Sequence, residues 1–425
     1  MEKSVQSNSL LQYPQRDKSK VDTKLPHGGD IFKTDTPILR MIIIVLSLLT
    51  ISGVPEGLFV FFPYTLYNST RATAVINNGV QQQKMKILRH IALAAAIAAG
   101  CACAWSADGG TAYNFLNITP STKVYGLGGV NISSTDGGIL STEQNPALLG
   151  AEHSGRLALS YMRYIGDSNF ASLAYAHSAG EHGAWAASLR YFGYGSMDRT
   201  DQIGESLGSF SPKDLAISGL YSHDFTNLLR GGFAVKALYS SYDSYTAFAL
   251  GVDLGVNYYD EERDLSLSAA VVNLGGQIKR FDESYERLPI DVRLGWTQSF
   301  PGFPVRFSVT AWNLTKWKLP YYETGDGTAG EKPQLKSSFA SNLFRHLVFG
   351  ADIVPSDKFY ICIGYNYKTR TDMSTYNRNI LSGFSLGAGL DIGAWGVGLA
   401  FAQPHTGATT FMVSLSAGIT ELIGK

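Results

Sequence analysis

The sequence predicts an all-β protein: a transmembrane antiparallel β-barrel of about 14 strands, with an N-terminal segment plugging its lumen. Three observations support this fold class. The composition is poor in charge and rich in glycine and aromatic residues, and apolar and polar residues alternate with a period of two from Gly155 onward. The connections between the alternating segments are, in most cases, alternately short and long.

The composition differs from that of an average soluble domain. Charged residues make up 16% of the 425 residues, whereas a soluble domain usually has about 25%. The 45 glycines and the 12% of aromatic residues are typical of a β protein with many turns and a large buried or lipid-facing area. Because the formal net charge is +0, the composition gives no reason to expect a nucleic acid as a partner.

The period-two pattern is clearest towards the C-terminus. There, Phe359, Ile361 and Ile363 share one face of a predicted strand, whereas Cys362 and Gly364 share the other. Such half-apolar strands suit a wall between lipid and a polar lumen. The predicted strands are 155–166, 169–179, 183–196, 213–225, 229–241, 246–260, 265–276, 288–300, 305–317, 346–355, 358–369, 381–393, 396–404 and 408–420.

The connections indicate how the strands are oriented. Every second connection is tight, whereas most of the others are long, with the longest at residues 318–345. This alternation is typical of an outer-membrane barrel, which has short periplasmic turns and longer loops outside the cell. Closure is required because lipid offers no hydrogen-bonding partner to a sheet edge. We therefore expect an outer-membrane protein with the barrel in residues 155–425.

The same pattern predicts which residues face lipid. Leu, Val, Phe and Ile are expected on the lipid side, and Ser, Gly, Asn, Asp and Tyr on the lumen side. Aromatic residues near strand ends are expected to form girdles at the two membrane surfaces. These residues are Tyr191, Phe192, Tyr194, Tyr258, Tyr259, Trp312, Trp317, Tyr321, Tyr322 and Trp395.

The first 107 residues follow other patterns. Residues 85–107 have a basic start, an apolar middle and small residues near their end, which is the layout of a signal peptide. Residues 1–84 then read as an upstream extension that is not native to the protein, disordered or with a short apolar segment; the alternative is a genuine N-terminal anchor. Cleavage could follow Ala104 or Ala107, or precede a lipidated Cys101.

Residues 108–154 differ from both neighbours and are predicted to be the plug. Glycines cluster here, and Pro120 and Pro146 prevent long regular strands or helices. The predicted plug residues are Gly126, Gly128, Gly129, Asn145 and Pro146.

Enzymatic chemistry is not predicted. The sequence contains no serine-hydrolase elbow and no helical zinc motif, and its cysteines have no ligand spacing, so we expect no catalytic residue, no metal and no cofactor. A catalytic set at the barrel rim is the weakest alternative. Histidines at strand ends are expected to be solvated or at the rim; they are His177, His182, His223, His346 and His405. In the long loop, candidate partner-binding residues are Tyr321, Tyr322, Asp326 and Glu331.

Several stretches resemble a known family. Within the plug they are residues 113–117 (YNFLN), 126–131 (GLGGVN) and 145–149 (NPALL). In the barrel they are residues 239–245, 304–308, 345–350 and 364–367. From about Gly109 to the C-terminus the chain resembles the PorQ family of the type IX secretion system of Bacteroidota. The LGG and NPA elements also occur in the PorV and FadL-like outer-membrane families.

The resemblance implies a FadL-like barrel in the outer membrane with no enzymatic activity. It implies a component that holds the cargo attachment machinery at the cell surface, with PorZ-like and also PorU- and PorV-like proteins as partners, besides outer-membrane lipid. The alternative function is that of a FadL-type transporter of hydrophobic small molecules. Such a transporter needs an apolar pocket near the plug and a lateral opening, for which the glycine pairs Gly251–Gly255 and Gly387–Gly389 are candidates.

Overall fold

The computed structural model describes residues 113–201, 203, 205–281, 285–300, 303–323, 334–356, 358–372, 381–405 and 408–423. The predicted upstream extension (1–84) and signal peptide (85–107) lie outside these residues, as do Asp326 and Glu331 in the long loop.

Fourteen antiparallel strands form one closed barrel, in the order β1-β18-β17-β16-β15-β14-β11-β10-β9-β8-β7-β6-β3-β2. The barrel closes where β1 pairs with β18, from Arg156 opposite Gly418 to Arg163 opposite Phe411. The barrel strands are β1 Arg156–Arg163, β2 Asn169–Ser178, β3 Gly183–Gly193, β6 Lys213–Thr226, β7 Leu229–Tyr242, β8 Tyr245–Asp260, β9 Leu265–Lys279, β10 Asp291–Phe300, β11 Phe303–Ala311, β14 Leu347–Ser356, β15 Phe359–Asn366, β16 Phe384–Ile392, β17 Trp395–His405 and β18 Ala408–Gly418. The predicted fold class and all 14 predicted strands are confirmed.

The two faces of the strands separate as the alternation predicts. In β15, Phe359, Ile361 and Ile363 are exposed on the outer surface, whereas Cys362 and Gly364 are buried inside. Closure of the sheet leaves no backbone N–H or C=O group unpaired towards lipid, and the outer surface is apolar. The barrel is therefore built to span an outer membrane.

The turns also divide between the two ends. The connections β2–β3, β6–β7, β8–β9, β10–β11, β14–β15 and β16–β17 are all short, and they lie at the end where β1 begins and β18 ends. We call this the periplasmic end and the opposite one the outer end. The outer end carries the longest connections, between β11 and β14, between β3 and β6 and between β15 and β16.

Some face assignments were wrong. Tyr161 (51% exposed) and Tyr239 are exposed on the outer surface and not directed into the lumen, whereas the exposed outer position of Tyr191 agrees with its predicted place in a girdle. Phe192 (4% exposed) and Trp312 (9% exposed) are buried and belong to no girdle. A strand position fixes only the side of the wall, and the buried plug provides an apolar surface inside the barrel against which aromatic rings can pack.

Two other details differ from the prediction. The strand predicted at 305–317 ends at Ala311, and the residues that follow belong to the outer loops. His346 is fully buried instead of lying at a solvated rim: its Nδ1 is 2.8 Å from the carbonyl oxygen of Trp312, and its Nε2 is 3.1 Å from that of Trp317.

The remaining elements are not part of the barrel wall. Two hairpins, β4–β5 (Met197–Thr200 and Ser206–Phe210) and β12–β13 (Tyr321–Glu323 and Gln334–Lys336), are inserted in outer connections. The helices are α1 Thr122–Gly126, α2 Phe339–His346, α3 Tyr367–Asp372 and α4 Ile419–Ile423. Within the described part of the chain, no helix combines the length and the apolarity needed to cross a membrane.

Candidate functional site

The N-terminal segment lies inside the barrel. We call residues 113–154 the plug; nearly all of them are buried, and they form α1 and several short 3-10 turns instead of strands. Side chains cap these short elements: Ser121 Oγ accepts a hydrogen bond from the Val124 amide at 3.4 Å, and Asn145 Oδ1 accepts one from the Ala147 amide at 3.0 Å. The plug backbone is thus largely satisfied within the lumen.

Glycines allow the plug backbone to touch the barrel wall. A Cβ on Gly126 would lie 2.7 Å from the Cα of Gly387 in β16, and a Cβ on Gly364 in β15 would collide with the backbone of Leu127 and Gly128. Gly128 itself has a φ of 102°, which side chains rarely adopt. These positions require glycine on both the plug and the wall.

Asn145 and Pro146 fit against the opposite side of the barrel. The Asn145 side-chain amide donates to the Ile132 carbonyl at 3.0 Å, which joins two parts of the plug. The wall opposite them carries Gly255 in β8 and Gly232 in β7, where a Cβ would overlap Asn145 and Pro146. The structure places the five predicted plug residues inside the lumen; Gly126, Gly128, Asn145 and Pro146 contact the wall directly, whereas Gly129 has a φ of 86° and open space around it.

Four charged side chains fasten the plug to β11 and β14. Lys123 Nζ lies 2.6 Å from Asp136 and 3.1 Å from Asp352, and Arg306 also pairs with both carboxylates. Burial raises the pKa of the Asp136 carboxyl, but the charges of Lys123 and Arg306 outweigh burial and hold that pKa below its ordinary value. We call these four residues the charge cluster.

A second set of polar contacts joins the plug to β3 and β10. Glu143 pairs with Arg190 of β3, and both side chains are almost completely buried. Arg190 also donates to the Leu116 carbonyl at 3.3 Å, and Arg293 of β10 donates to Gln144 at 2.8 Å. If the plug left, Arg190 would lose its carboxylate partner, whereas Arg293 would keep the neighbouring Asp291 of β10. The Glu143–Arg190 pair therefore favours the seated plug.

Apolar contacts fill the rest of the lumen. Towards the outer end, Tyr113, Phe115 and Leu116 pack with Met162 and Phe192 in one cluster. A second cluster joins the plug residues Ile139, Leu140 and Leu149 to alanines of β1, β2, β3 and β7 and to Leu220 of β6. The apolar side chains of the plug therefore pack against the inner wall of the barrel.

Cavities lie on both sides of the plug. One of about 490 Å³, which we call the outer vestibule, lies between plug residues 114–130, loop residues 312–316 and the outer ends of β15, β16 and β17. Another of about 280 Å³ lies at the periplasmic end beside Glu152, Asp224 and Arg230. Arg230 pairs with both of these carboxylates, so this smaller cavity is lined by an ion-paired group.

The outer loops between β11 and β16 form a structured cap over one side of the opening. We call β12, β13, α2 and α3 the outer cap. Tyr321 lies within it, its hydroxyl 3.2 Å from that of Tyr367 and its ring 4.8 Å from the Arg345 guanidinium. Tyr322 pairs across the hairpin with Leu335, and both are exposed, at 63% and 58%. The two tyrosines predicted to bind a partner therefore differ: Tyr321 supports the cap, and Tyr322 is available on its surface.

Sequence reasoning missed the residues that hold the plug. Lys123, Asp136 and Glu143 are charged residues in a buried glycine-rich segment, and Arg190 and Arg306 occupy inward positions of their strands. A charge on the lumen face of a strand was the signal that could have found the wall partners. Within the described residues, no group of three His, Cys, Asp or Glu side chains is placed to hold a metal.

No family model matches the chain, and no curated protein matches it. Among solved structures it is similar to the toluene transporter TodX of Pseudomonas putida, with 12% identity, a TM-score of 0.42, and coverage of 69% of this chain and 95% of that one. A FadL homologue of Pseudomonas aeruginosa is 12% identical at a TM-score of 0.40, with coverage of 71% and 99%. From its own geometry, the protein is a multi-pass outer-membrane β-barrel of 14 antiparallel strands with its N-terminal segment inside the lumen.

Proposed function

We propose that the protein is a non-enzymatic anchor in the outer membrane that presents a protein-binding surface outside the cell, as a component of the type IX secretion system of the PorQ type. Residues 113–117, 126–131 and 145–149 carry the resemblance to that family. The observation that carries the anchoring role is the combination of a filled lumen with an apolar outer cap.

The filled lumen argues against free diffusion through the barrel. The plug is bound to the inner wall by the charge cluster, by the Glu143–Arg190 pair and by glycine contacts on several strands. Displacement of the plug would separate Arg190 from Glu143 and Asp352 from Lys123, although Asp352 would keep Arg306, and the loss of these contacts costs free energy. A barrel held closed in this way serves more readily as an anchor than as an open pore.

The outer cap supplies the surface for a partner. Tyr322 and Leu335 form an exposed cross-strand pair, and Phe339 and Phe344 of α2 are also exposed. Apolar side chains grouped on an ordered surface are typical of protein interaction sites. The partners proposed here are the PorZ-like, PorU-like and PorV-like proteins of the attachment machinery.

The test is co-purification of a PorZ-like protein with the tagged barrel from the cell envelope. We expect Tyr322→Ser combined with Leu335→Ser to abolish co-purification, because together they remove the exposed pair. Leu207→Ser is the matched control, since Leu207 is equally exposed but lies on the β4–β5 hairpin at another part of the barrel circumference. Normal cargo attachment in a deletion strain would refute the proposal.

One observation favours the alternative, a FadL-type transporter of hydrophobic small molecules. An apolar cluster lies towards the outer end of the lumen, and in it Tyr113, Phe115 and Leu116 occupy space that a hydrophobic ligand could take if they moved. The similar solved structures include a toluene transporter and a monoaromatic hydrocarbon channel. The lateral opening expected at the glycine pairs is not found: β8 and β16 pair with both neighbours there, and Gly255 and Gly387 contact the plug. Faster uptake of labelled toluene by proteoliposomes than by protein-free liposomes would support transport, and equal uptake would argue against it.

A further inference from the structure

The outer vestibule is lined by side chains that both donate and accept hydrogen bonds. Its volume of about 490 Å³ falls within the range of about 300–1,000 Å³ that is usual for small-ligand sites. Five carboxamides line it: Asn114, Asn117, Asn313, Asn366 and Gln403. A carboxamide offers two N–H donors and a carbonyl acceptor, which is the pattern that matches ligand hydroxyl groups.

Some carboxamides of the vestibule are held by internal hydrogen bonds, and others are available to bind a ligand. Asn366 is held in place because it donates to the Gly128 carbonyl at 3.1 Å and accepts from the Thr369 amide at 3.1 Å. The side chains of Asn117 and Asn313 form no hydrogen bond with any residue that the structure describes. These two amides can therefore serve a ligand without breaking an internal contact.

Aromatic rings lie beside these amides. Trp312 is 9% exposed, and its Nε1–H has no acceptor among the described residues, although a buried indole N–H normally finds one. Tyr125 and Tyr164 line the same cavity. An apolar ring next to amide groups suits a molecule that has a C–H face and a rim of hydroxyls, which is the form of a sugar ring.

The charged side chains that line the vestibule are positive, which favours an anionic ligand. Lys316 and Lys368 line it, and no Asp or Glu occurs among the described lining residues. Lys368 pairs with Asp372 and lies 5.7 Å from the centre of the Trp312 ring. Lys316 is exposed and has no ion-pair partner among the described residues, so it can receive an anion.

The geometry points to the outer vestibule as a binding site for an acidic saccharide. The Trp312 ring forms part of the apolar lining, the amides of Asn117 and Asn313 bind ring hydroxyls, and Lys316 binds the carboxylate or another anionic group. This site goes beyond the proposed anchoring role, because it lies on the outer side of the plug and uses none of the exposed residues of the outer cap proposed to bind a partner.

The test uses the full barrel in detergent with two probes, a disaccharide of glucuronic acid and the glucose disaccharide of the same linkage. Titration calorimetry should show binding of the acidic probe at least about tenfold tighter than of the neutral one, which corresponds to about 1.4 kcal/mol. This preference should fall as salt is raised, because Lys316 is exposed. Failure of both probes to bind at millimolar concentration, or equal affinity for the two, would overturn the proposal.

Two substitutions assign the roles. Lys316→Gln should remove the preference for the acidic probe and leave the neutral one unchanged, whereas Lys318→Gln, a change of an exposed lysine outside the vestibule on the same segment, should change neither. Equal effects of the Lys316 and Lys318 changes would contradict the site.

The same titration identifies the source of the saccharide. Vesicles that carry a glucuronic acid glycolipid and the free disaccharide both present the required chemistry. Retention of the barrel by the vesicles, but not by phosphatidylcholine vesicles, together with competition by the free disaccharide, would show that the site accepts a membrane-anchored glycan. Binding of the free probe alone would restrict the site to soluble saccharides and would still support it.

Discussion

The charge cluster gives the sharpest test of how the plug is held. We expect Lys123→Met to loosen the plug, because it removes a buried cation that lies 2.6 Å from Asp136 and 3.1 Å from Asp352. Removing one partner of a buried pair typically costs about 3–5 kcal/mol. Here Arg306 still pairs with both carboxylates, so the cost should be lower, about 2–3 kcal/mol.

This cost acts on the balance between a seated and a displaced plug. If the displaced state does not contain the lost ion pairs, about 2–3 kcal/mol raises its population about 30- to 150-fold. Single-channel recording in planar bilayers should then show frequent openings for Lys123→Met and rare ones for the unmodified protein. Urea unfolding in detergent micelles reports the same change as a lower midpoint.

A double variant separates charge balance from side-chain loss. In Lys123→Met/Asp352→Leu, the remaining Arg306 and Asp136 still pair, so no buried charge is left alone. The double variant should therefore open less often than Lys123→Met. Lys318→Met, in an exposed outer loop, is the control and should behave as the unmodified protein. The reasoning is refuted if Lys123→Met stays as closed as this control, or if the double variant opens as often as the single one.

Three more predictions follow from the same contacts. Gly364→Ala should destabilise the barrel by about 1–3 kcal/mol and raise its conductance, because the new methyl group meets the backbone of Leu127 and Gly128. Gly219→Ala, whose methyl group meets open space, should change neither stability nor conductance. Thermal unfolding measures the stability, and bilayer recording measures the conductance. Arg190→Met should cost about 3–5 kcal/mol in urea unfolding, and Arg190→Met/Glu143→Leu should recover most of that loss, since no charge is then left unpaired; a double variant weaker than the single one would argue against the pair. The pKa of the Asp136 carboxyl lies below its ordinary value in the folded protein, so the stability that this group contributes is complete above about pH 4 and declines as pH falls towards the folded pKa. Asp136→Asn should remove that part of the acid dependence when the free energy of unfolding is measured from pH 6 to pH 3. An unchanged slope of stability against pH would contradict the assignment.

The alternation of apolar and polar residues predicted most of the fold. All 14 barrel strands, and the contrast between short periplasmic turns and longer outer loops, could be predicted because each strand has one face in lipid and one in the lumen. A period of two in the sequence is a direct consequence of that geometry. The glycines of the plug were also predictable, since a chain that packs inside a filled lumen needs close backbone contact.

The partners of the buried charges were decided only by the tertiary structure. Lys123 and Asp352 are separated by most of the chain, and nothing in either local sequence indicates that they meet; the closure of the barrel around the plug brings them to 3.1 Å. The same holds for Trp312 and His346, which the sequence placed at the rim and which the outer loops bury. Periodicity fixes the face on which a side chain lies, but the depth of that side chain and its neighbour across the lumen depend on contacts between distant segments.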